Sequence, residues 1–427
     1  MLMERRIGIR AVSLALVCSL VLSGCKGGPT EEIIREFSLE DAERRGAVQS
    51  TVEEDILSSG ADDPPVLVEI VTEDGPFFLE EGSGFAFSDL SDAEKIWYRD
   101  MEQILGSYGT EIYLSEEGLA AGLNEDSIDR IFQCVLNDHP ELFYVDGYSY
   151  TKYSKYGNND EILSVEFSGR YNVDIETAKS RQSQIEEAVS AILAGIDSEA
   201  SQYDKVKYVY DTLIRETDYQ LDAPDNQNIY SVFVNHLSVC QGYAKATQYL
   251  LTRLGVECAL VLGTVETGEG HAWNLVKIDG SYYYVDTTWG DASYQLEDEE
   301  MEISSNLPEI NYDYLNVTTA ELLRTHTLAN GMLMPQCIDT RANYYVREGA
   351  LFSEYDREQM AALFEKMQEQ GRSDVTVKCT TRDVYSQIFT ALIEEQDIFD
   401  FLTNTGGTVA YTQNETQLSL TFWVTNG

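Results

Sequence analysis

Apolar positions along the chain change period several times, and each change marks a predicted element. Ile96, Trp97, Met101, Ile104 and Leu105 recur at helical spacing and predict an amphipathic helix over Asp92–Leu105. Ile128, Ile131, Phe132 and Val135 predict a second over Glu125–Leu136. Leu142–Tyr153 and Glu161–Tyr171 read as strands joined by the turn-rich Tyr156-Gly157-Asn158-Asn159-Asp160. Helical spacing returns over Val173–Leu193 and Asp204–Arg215, where Val206, Val209, Tyr210, Leu213 and Ile214 form one stripe. A helix over Cys240–Leu254, a strand over Cys258–Val265 and two more strands around Asp279-Gly280 follow. Towards the end the chain predicts strands at Tyr344–Val346, Val375–Cys379, Thr408–Thr412 and Gln417–Val424, with helices at Glu354–Glu369 and Asp383–Phe401.

This pattern gives an α+β protein with a helical N-terminal flank over 86–200, a core over 201–330 and a small C-terminal α+β domain over 340–427. The C-terminal unit carries no nucleophile in a distinctive context and reads as a structural or docking module. Residues 25–85 alternate acidic and small residues with Pro64-Pro65 and Gly82-Ser83-Gly84, the composition of a flexible tether. A short strand at Val66–Val71 and a weak helix at Ile33–Val48 are its only structural signals. Residues 1–24 read as a signal peptide: Arg5, Arg6 and Arg10 precede the apolar run Ala11–Leu22, which falls short of the ~20 residues a spanning helix needs. Leu22-Ser23-Gly24-Cys25 resembles the bacterial lipobox. That resemblance implies lipidation at Cys25 and an extracytoplasmic protein anchored to a bacterial membrane; the alternative is an ordinary cleaved secretory signal.

Charge narrows the partners. The chain of 427 residues has 74 acidic against 29 basic side chains, a formal net charge of −45. Such a surface repels phosphate backbones, which excludes nucleic acid, and it repels anionic head groups, so any membrane anchor must be the lipid. The seven cysteines include no Cys-x-x-Cys pair and the four histidines no His-x-x-x-His pair, so no metal and no cofactor is expected. Glu297–Glu302 lacks the ligand spacing of a calcium loop and reads as solvated. Cys134, Cys258, Cys337 and Cys379 are expected to stay unpaired, since Cys258 falls in an apolar strand pattern.

The chemistry concentrates between Tyr230 and Trp289. In Ser238-Val239-Cys240-Gln241-Gly242-Tyr243-Ala244, Cys240 falls at the first turn of a helix. The positive end of the helix dipole and the first amide groups favour thiolate there, the nucleophilic form. Gly270-His271-Ala272-Trp273-Asn274 and Val285-Asp286-Thr287-Thr288-Trp289 flank Asp279-Gly280, the dipeptide of a two-residue hairpin. With a two-residue loop, Ile278 pairs with Ser281, and His271, Trp273, Asp286 and Thr288 share a face, with His271 opposite Thr288. Asp286 is then the diagonal neighbour of His271, at a distance an imidazole and a carboxylate can bridge. A three-residue loop would put Asp286 on the opposite face.

These three segments resemble, in order, the motifs of the transglutaminase-like superfamily, whose Cys-His-Asp triad lies on a papain-like α+β scaffold. Asp138-His139-Pro140-Glu141-Leu142-Phe143-Tyr144 and Tyr312–Thr327 resemble flanking segments of bacterial surface members. The resemblance implies Cys240 as nucleophile, His271 as base and Asp286 as the acid that orients it. It implies Tyr230 as a candidate oxyanion donor beside the Cys240 N–H, while Trp273 and Trp289 either line a substrate channel or simply pack. One departure is visible: Val234-Asn235-His236 stands where small or glycine-rich residues are expected. His236 is a conceivable second base, but with no partner acid in sequence reach it reads as a loop histidine. The implied activity is a thiol enzyme on peptide or side-chain amides of a peptide or protein substrate, acting by hydrolysis or amine transfer. The other reading is a non-catalytic binding or scaffold lipoprotein that keeps the fold.

Overall fold

The long hairpin Val145–Lys155 and Asn158–Tyr171, with Ile112–Tyr113 on its outer edge, forms a three-stranded antiparallel sheet against the helices Glu94–Gly106 and Ile128–Asp138. The structure is a computed structural model that describes residues 10–12, 84–155, 158–291, 308–329, 333–402 and 409–424. Cys25, Ile33–Val48, Val66–Val71, the rest of the tether up to residue 83, and Glu297–Glu302 lie outside the described residues. Arg10–Val12, within the stretch read as a signal, is a parallel edge strand beside Val409–Asn414. Among the described residues, no helix is long and apolar enough to cross a membrane.

The N-terminal flank is fastened at the end of the helix Ile128–Asp138. Asp138 accepts backbone N–H groups from Ala86 and Phe87 at 2.9 and 2.8 Å and the Tyr98 hydroxyl at 3.0 Å, which holds the short helix Phe85–Asp89 in place. His139 is buried between Glu102 and Glu141, 2.9 and 3.0 Å from their carboxylates. Burial pushes its pKa down, but the two carboxylates outweigh this and hold it up at about 10. Gln248, on the helix Cys240–Arg253, donates to the Asn137 carbonyl at 2.8 Å and joins flank to core.

The core sheet has five antiparallel strands in the order Leu315–Val317, Ser281–Val285, Gly270–Ile278, Cys258–Val265, His326–Leu328. Its register is the one the Asp279-Gly280 turn predicts: Ile278 faces Ser281, and both turn residues have positive φ, 49° and 84°. Two positive φ angles give the type I′ turn, whose twist matches that of the flanking strands. The two outer strands are brought near one another at one end. The Tyr314 ring, at the start of Leu315–Val317, lies 5.7 Å from that of His326, and its hydroxyl is 3.5 Å from Thr325 Oγ1. The sheet therefore curls like a partly closed barrel around whatever lies between them.

The C-terminal sheet is mixed, in the order Arg10–Val12, Val409–Asn414, Ser419–Val424, Asp374–Cys379, Leu351–Phe352, with helices Arg357–Glu369 and Arg382–Phe389. Two expectations are corrected here. Tyr344–Val346 is not a strand but the start of a helix, Tyr344–Glu348. The Asn343 side chain caps it by accepting Tyr345 N–H, left-handed Gly349 ends it, and Tyr344 stacks on Tyr312 at 3.8 Å, so capping and packing override the β-propensity of Tyr-Tyr-Val. Asp383–Phe401 is not one helix: it breaks at a wider turn over Thr390–Glu394 and at left-handed Gln396. Among the described residues, Cys134, Cys240, Cys258, Cys337 and Cys379 form no disulfide.

This domain grips the core through a buried ion pair. Lys378 Nζ donates to Asp313 Oδ1 at 2.8 Å, while Ser419 Oγ and Asn414 Nδ2 donate to Asp313 Oδ2 at 2.6 and 3.2 Å. Lys378→Met would remove the cation and leave the carboxylate buried. Urea unfolding should show a loss of ~3–5 kcal/mol, whereas Arg341→Met, at a solvent-screened pair with Asp339, should leave the urea midpoint nearly unchanged.

Candidate active site

Cys240 opens the helix Cys240–Arg253, with Val239 extended at the cap position. It thus occupies the first helical turn, where amide groups lack intrahelical acceptors. Glycine at 242 is required by proximity: a Cβ there would stand 1.9 Å from Ser238 Oγ and 2.9 Å from Asn226 O. The chain then turns at Gly255 and returns as the strand Cys258–Val265. Because strand and helix run in opposite senses, the helix start lies at the end of the sheet occupied by Gly263 and its cross-strand partner His271. Packing agrees: Ala244, one turn beyond Cys240, clusters with Leu260 and Ala272, and its carbonyl accepts Asn274 Nδ2 at 2.9 Å.

His271 and Asp286 are in direct contact. His271 Nε2 lies 2.8 Å from Asp286 Oδ2, and both side chains are buried. The ladder itself ends at Asn274 opposite Val285. Asp286 leaves the strand and caps the short helix Thr287–Gly290 by accepting Trp289 N–H on Oδ1 at 3.1 Å. Thr288 therefore sits within that helix rather than opposite His271, a correction to the extended hairpin. The predicted diagonal contact survives because one residue of overhang still reaches.

A third group completes the cluster. His326 Nε2 lies 3.0 Å from the same Asp286 Oδ2, and its Nδ1 is 2.8 Å from Thr325 Oγ1. Sequence reasoning counted His326 only among the four histidines and inside a flanking segment. Its strand is three residues long and lies forty residues beyond Asp286, so no local periodicity points to the carboxylate. His271, Asp286 and His326 are also a set that could hold a metal ion. Their contacts are hydrogen bonds on one carboxylate oxygen, with the other His326 nitrogen taken by a hydroxyl.

Trp273, Trp289 and Tyr314 enclose the imidazoles. Trp273 stacks on His271 at 5.9 Å and meets His326 edge-on at 4.9 Å; Trp289 lies 4.8 Å from His326. Both tryptophans are buried against the imidazoles. Tyr230 is turned elsewhere: its ring stacks on Phe143, the Arg181 guanidinium lies over it at 4.4 Å, and its hydroxyl donates to Gln184 at 3.4 Å. His236 is exposed, left-handed, and bonded through Nδ1 to the Glu216 carbonyl at 2.8 Å. It lines a surface pocket of about 310 Å³ with Ala188, Tyr208 and Phe233, which includes none of Cys240, His271 and Asp286.

The electrostatics follow from burial and from these donors. Burial pushes the Asp286 pKa up, but His271 and then His326 outweigh it and hold the carboxylate well below its usual range. Burial lowers the His326 pKa despite its bond to Asp286.

Residues 190–287 match the family model of the Transglutaminase-like superfamily. The core is transglutaminase-like. The matched stretch holds Cys240, His271 and Asp286 and ends before His326. Kyphoscoliosis peptidase of Mus musculus is 23% identical over 130 residues, 26% of this chain and 20% of that protein. The chain thus spans one-fifth of that relative's length. A solved TGase is 16% identical, covering 34% of this chain and 44% of its own, with a TM-score of 0.24. The periplasmic domain of TgpA from Pseudomonas aeruginosa, solved with ethylmercury, is 17% identical over 33% of this chain and 59% of its own, with a TM-score of 0.20.

The pKa directions fix how this core responds to acid. Both groups have depressed folded values, so each contributes stability that is complete above its unfolded pKa and lost as pH falls. Urea midpoints should decline below about pH 6.5 through His326 and further below about pH 4 through Asp286. Asp286→Asn should cost ~1–3 kcal/mol near neutral pH, because the amide NH₂ opposes an imidazole N–H. It should also flatten the decline below about pH 4, and a decline unchanged from wild type would contradict this account.

Proposed function

We propose that this chain is a membrane-anchored, extracytoplasmic thiol enzyme that acts on peptide or side-chain amides through an acyl-enzyme at Cys240. The observation that carries the reading is the 2.8 Å bond between His271 Nε2 and Asp286 Oδ2, at the end of the sheet where the Cys240 helix starts. An ionised carboxylate only accepts, so His271 must present its proton on Nε2. Nδ1 is then the basic nitrogen, and it takes the Cys240 proton.

The thiolate attacks the amide carbonyl carbon, and the carbonyl electrons move onto oxygen. The helix start supplies N–H donors for that oxyanion. Collapse breaks the C–N bond, and the leaving amine takes its proton from His271. Water, deprotonated by the same imidazole, releases the acyl group as a carboxylic acid; a primary amine in its place gives a new amide. Hydrolysis is the favoured outcome because it needs an open second site and no amine-selective one. Lipidation at Cys25 would hold the enzyme at the membrane, where its acidic surface favours cationic peptides.

The test is incubation of wild type, Cys240→Ala and His271→Ala with a peptide library and a primary amine, read by mass spectrometry. Wild type should give cleavage, deamidation or amine incorporation, and each variant should lose at least ~10³-fold. Cys240 should alkylate with iodoacetamide faster than a free thiol below about pH 7. Unchanged products in Cys240→Ala, or alkylation no faster than a free thiol, would remove the enzymatic reading; peptide binding without turnover would favour the scaffold reading.

A further inference from the structure

The geometry points to His326 as a positioning residue, a neutral imidazole whose Nε2–H shares Asp286 Oδ2 with His271 and sets how strongly that carboxylate holds the His271 ring. The inference rests on the thiol-enzyme reading and deepens it. It starts from the 3.0 Å contact between His326 Nε2 and Asp286 Oδ2. The carboxylate can only accept, so His326 carries a proton on Nε2. Its Nδ1 faces Thr325 Oγ1 at 2.8 Å, and although that hydroxyl also lies 3.4 Å from the Leu322 carbonyl, the shorter contact is the one to the ring, where the hydroxyl donates. With one nitrogen donating and the other accepting, the ring satisfies both contacts while uncharged.

The surroundings favour that state. Trp273, Trp289 and Tyr314 pack around the ring at 4.9, 4.8 and 5.7 Å, and His326 is 2% exposed. The titratable groups facing the cluster are His271 and Asp286 themselves, Tyr314 from the edge of the sheet and Tyr210 from the helix Gln202–Glu216. Burial holds both tyrosines far above their usual pKa, so they stay neutral. Asp313, behind Tyr314, is already paired with Lys378. Asp286 is thus the anion in direct contact with both imidazoles.

A carboxylate oxygen that accepts two N–H groups divides its charge between them. His326 therefore moderates the pull of Asp286 on His271. Without His326, Asp286 would stabilise the His271 imidazolium more strongly and slow return of its proton to the leaving amine. With it, His271 keeps its Nε2–H orientation and remains a weaker, more readily deprotonated acid, as a group that both accepts and returns a proton requires.

The test uses the full chain with ¹⁵N-labelled histidine, and reads ring tautomers and titration by long-range ¹H–¹⁵N spectra. In wild type, His326 should show protonated Nε2 and unprotonated Nδ1 throughout pH 5.5–8. In His326→Phe, the His271 midpoint should rise by about one pH unit, the size of one hydrogen bond to a charged group. His326→Gln, whose amide can still donate, should bring it back towards wild type. An Nδ1-protonated or doubly protonated His326 in wild type, or a His271 midpoint unmoved in folded His326→Phe, would overturn the inference. Iodoacetamide rates at Cys240 in the same samples separate the two readings. A reactive Cys240 with an unmoved His271 defeats this inference alone, and an unreactive wild-type Cys240 defeats the enzymatic reading beneath it.

Discussion

One carboxylate oxygen organises this core. Asp286 Oδ2 receives two imidazole nitrogens, and Oδ1 receives a backbone N–H. A carboxylate this deeply buried is costly unless charge or hydrogen bonds compensate it. Here three donors arrive from three separate elements, so the chain must bring them together before the site can exist. The sheet does so by curling. Asp286 follows the strand Ser281–Val285, His271 lies on the next strand, and His326 sits on the far edge with Cys258–Val265 between. Flat strands at ~4.8 Å spacing would hold the Asp286 and His326 positions ~14 Å apart. Their 3.0 Å contact therefore records both the coil of the sheet and the departure of Asp286 from the ladder. Gly263 belongs to the same constraint: a Cβ there would stand 2.1 Å from Thr327 O and 2.5 Å from the Trp273 ring.

What could be read from the sequence was what local rules determine. Asp279-Gly280 allows a two-residue type I′ turn, and that turn alone fixes which residues of the two strands share a face. The His271–Asp286 contact was legible for that reason, as was the helix start at Cys240. His326 was not. Its approach depends on the curl of five strands and on a three-residue edge strand, neither of which leaves a periodic trace. Tyr344 failed for a related reason. Three β-prone residues sit between an Asn cap and a left-handed glycine, and the stacking of Tyr344 on Tyr312 that settles the outcome is a tertiary contact.

The flanks bear on the site through the elements they hold. Gln248 ties the Cys240 helix to the N-terminal flank. On the other side, Gln417 Nε2 donates to the Tyr314 hydroxyl at 3.5 Å and to the Glu321 carbonyl at 3.3 Å, and Arg324 donates to the Gln417 carbonyl at 3.2 Å. These contacts fall on the segment that delivers Thr325 and His326. The Asp313–Lys378 pair anchors the same segment one strand earlier. The C-terminal domain, which carries no distinctive nucleophile, thus buttresses the strand that brings the second histidine to Asp286.

This arrangement bears on why the acid should be so well satisfied. An aspartate that only oriented His271 could do so through a single bond. A lone buried carboxylate against one imidazole, however, would draw the ring strongly towards its charged form, because nothing else would share the anion's field in so dry a pocket. Adding a neutral second donor keeps the orientation and spreads the charge. Aromatic walls around both rings exclude water that could supply that second bond less selectively. Where a proton must be taken up and given back by the same nitrogen, a fixed neutral partner on the carboxylate is the direct physical means of keeping both steps accessible.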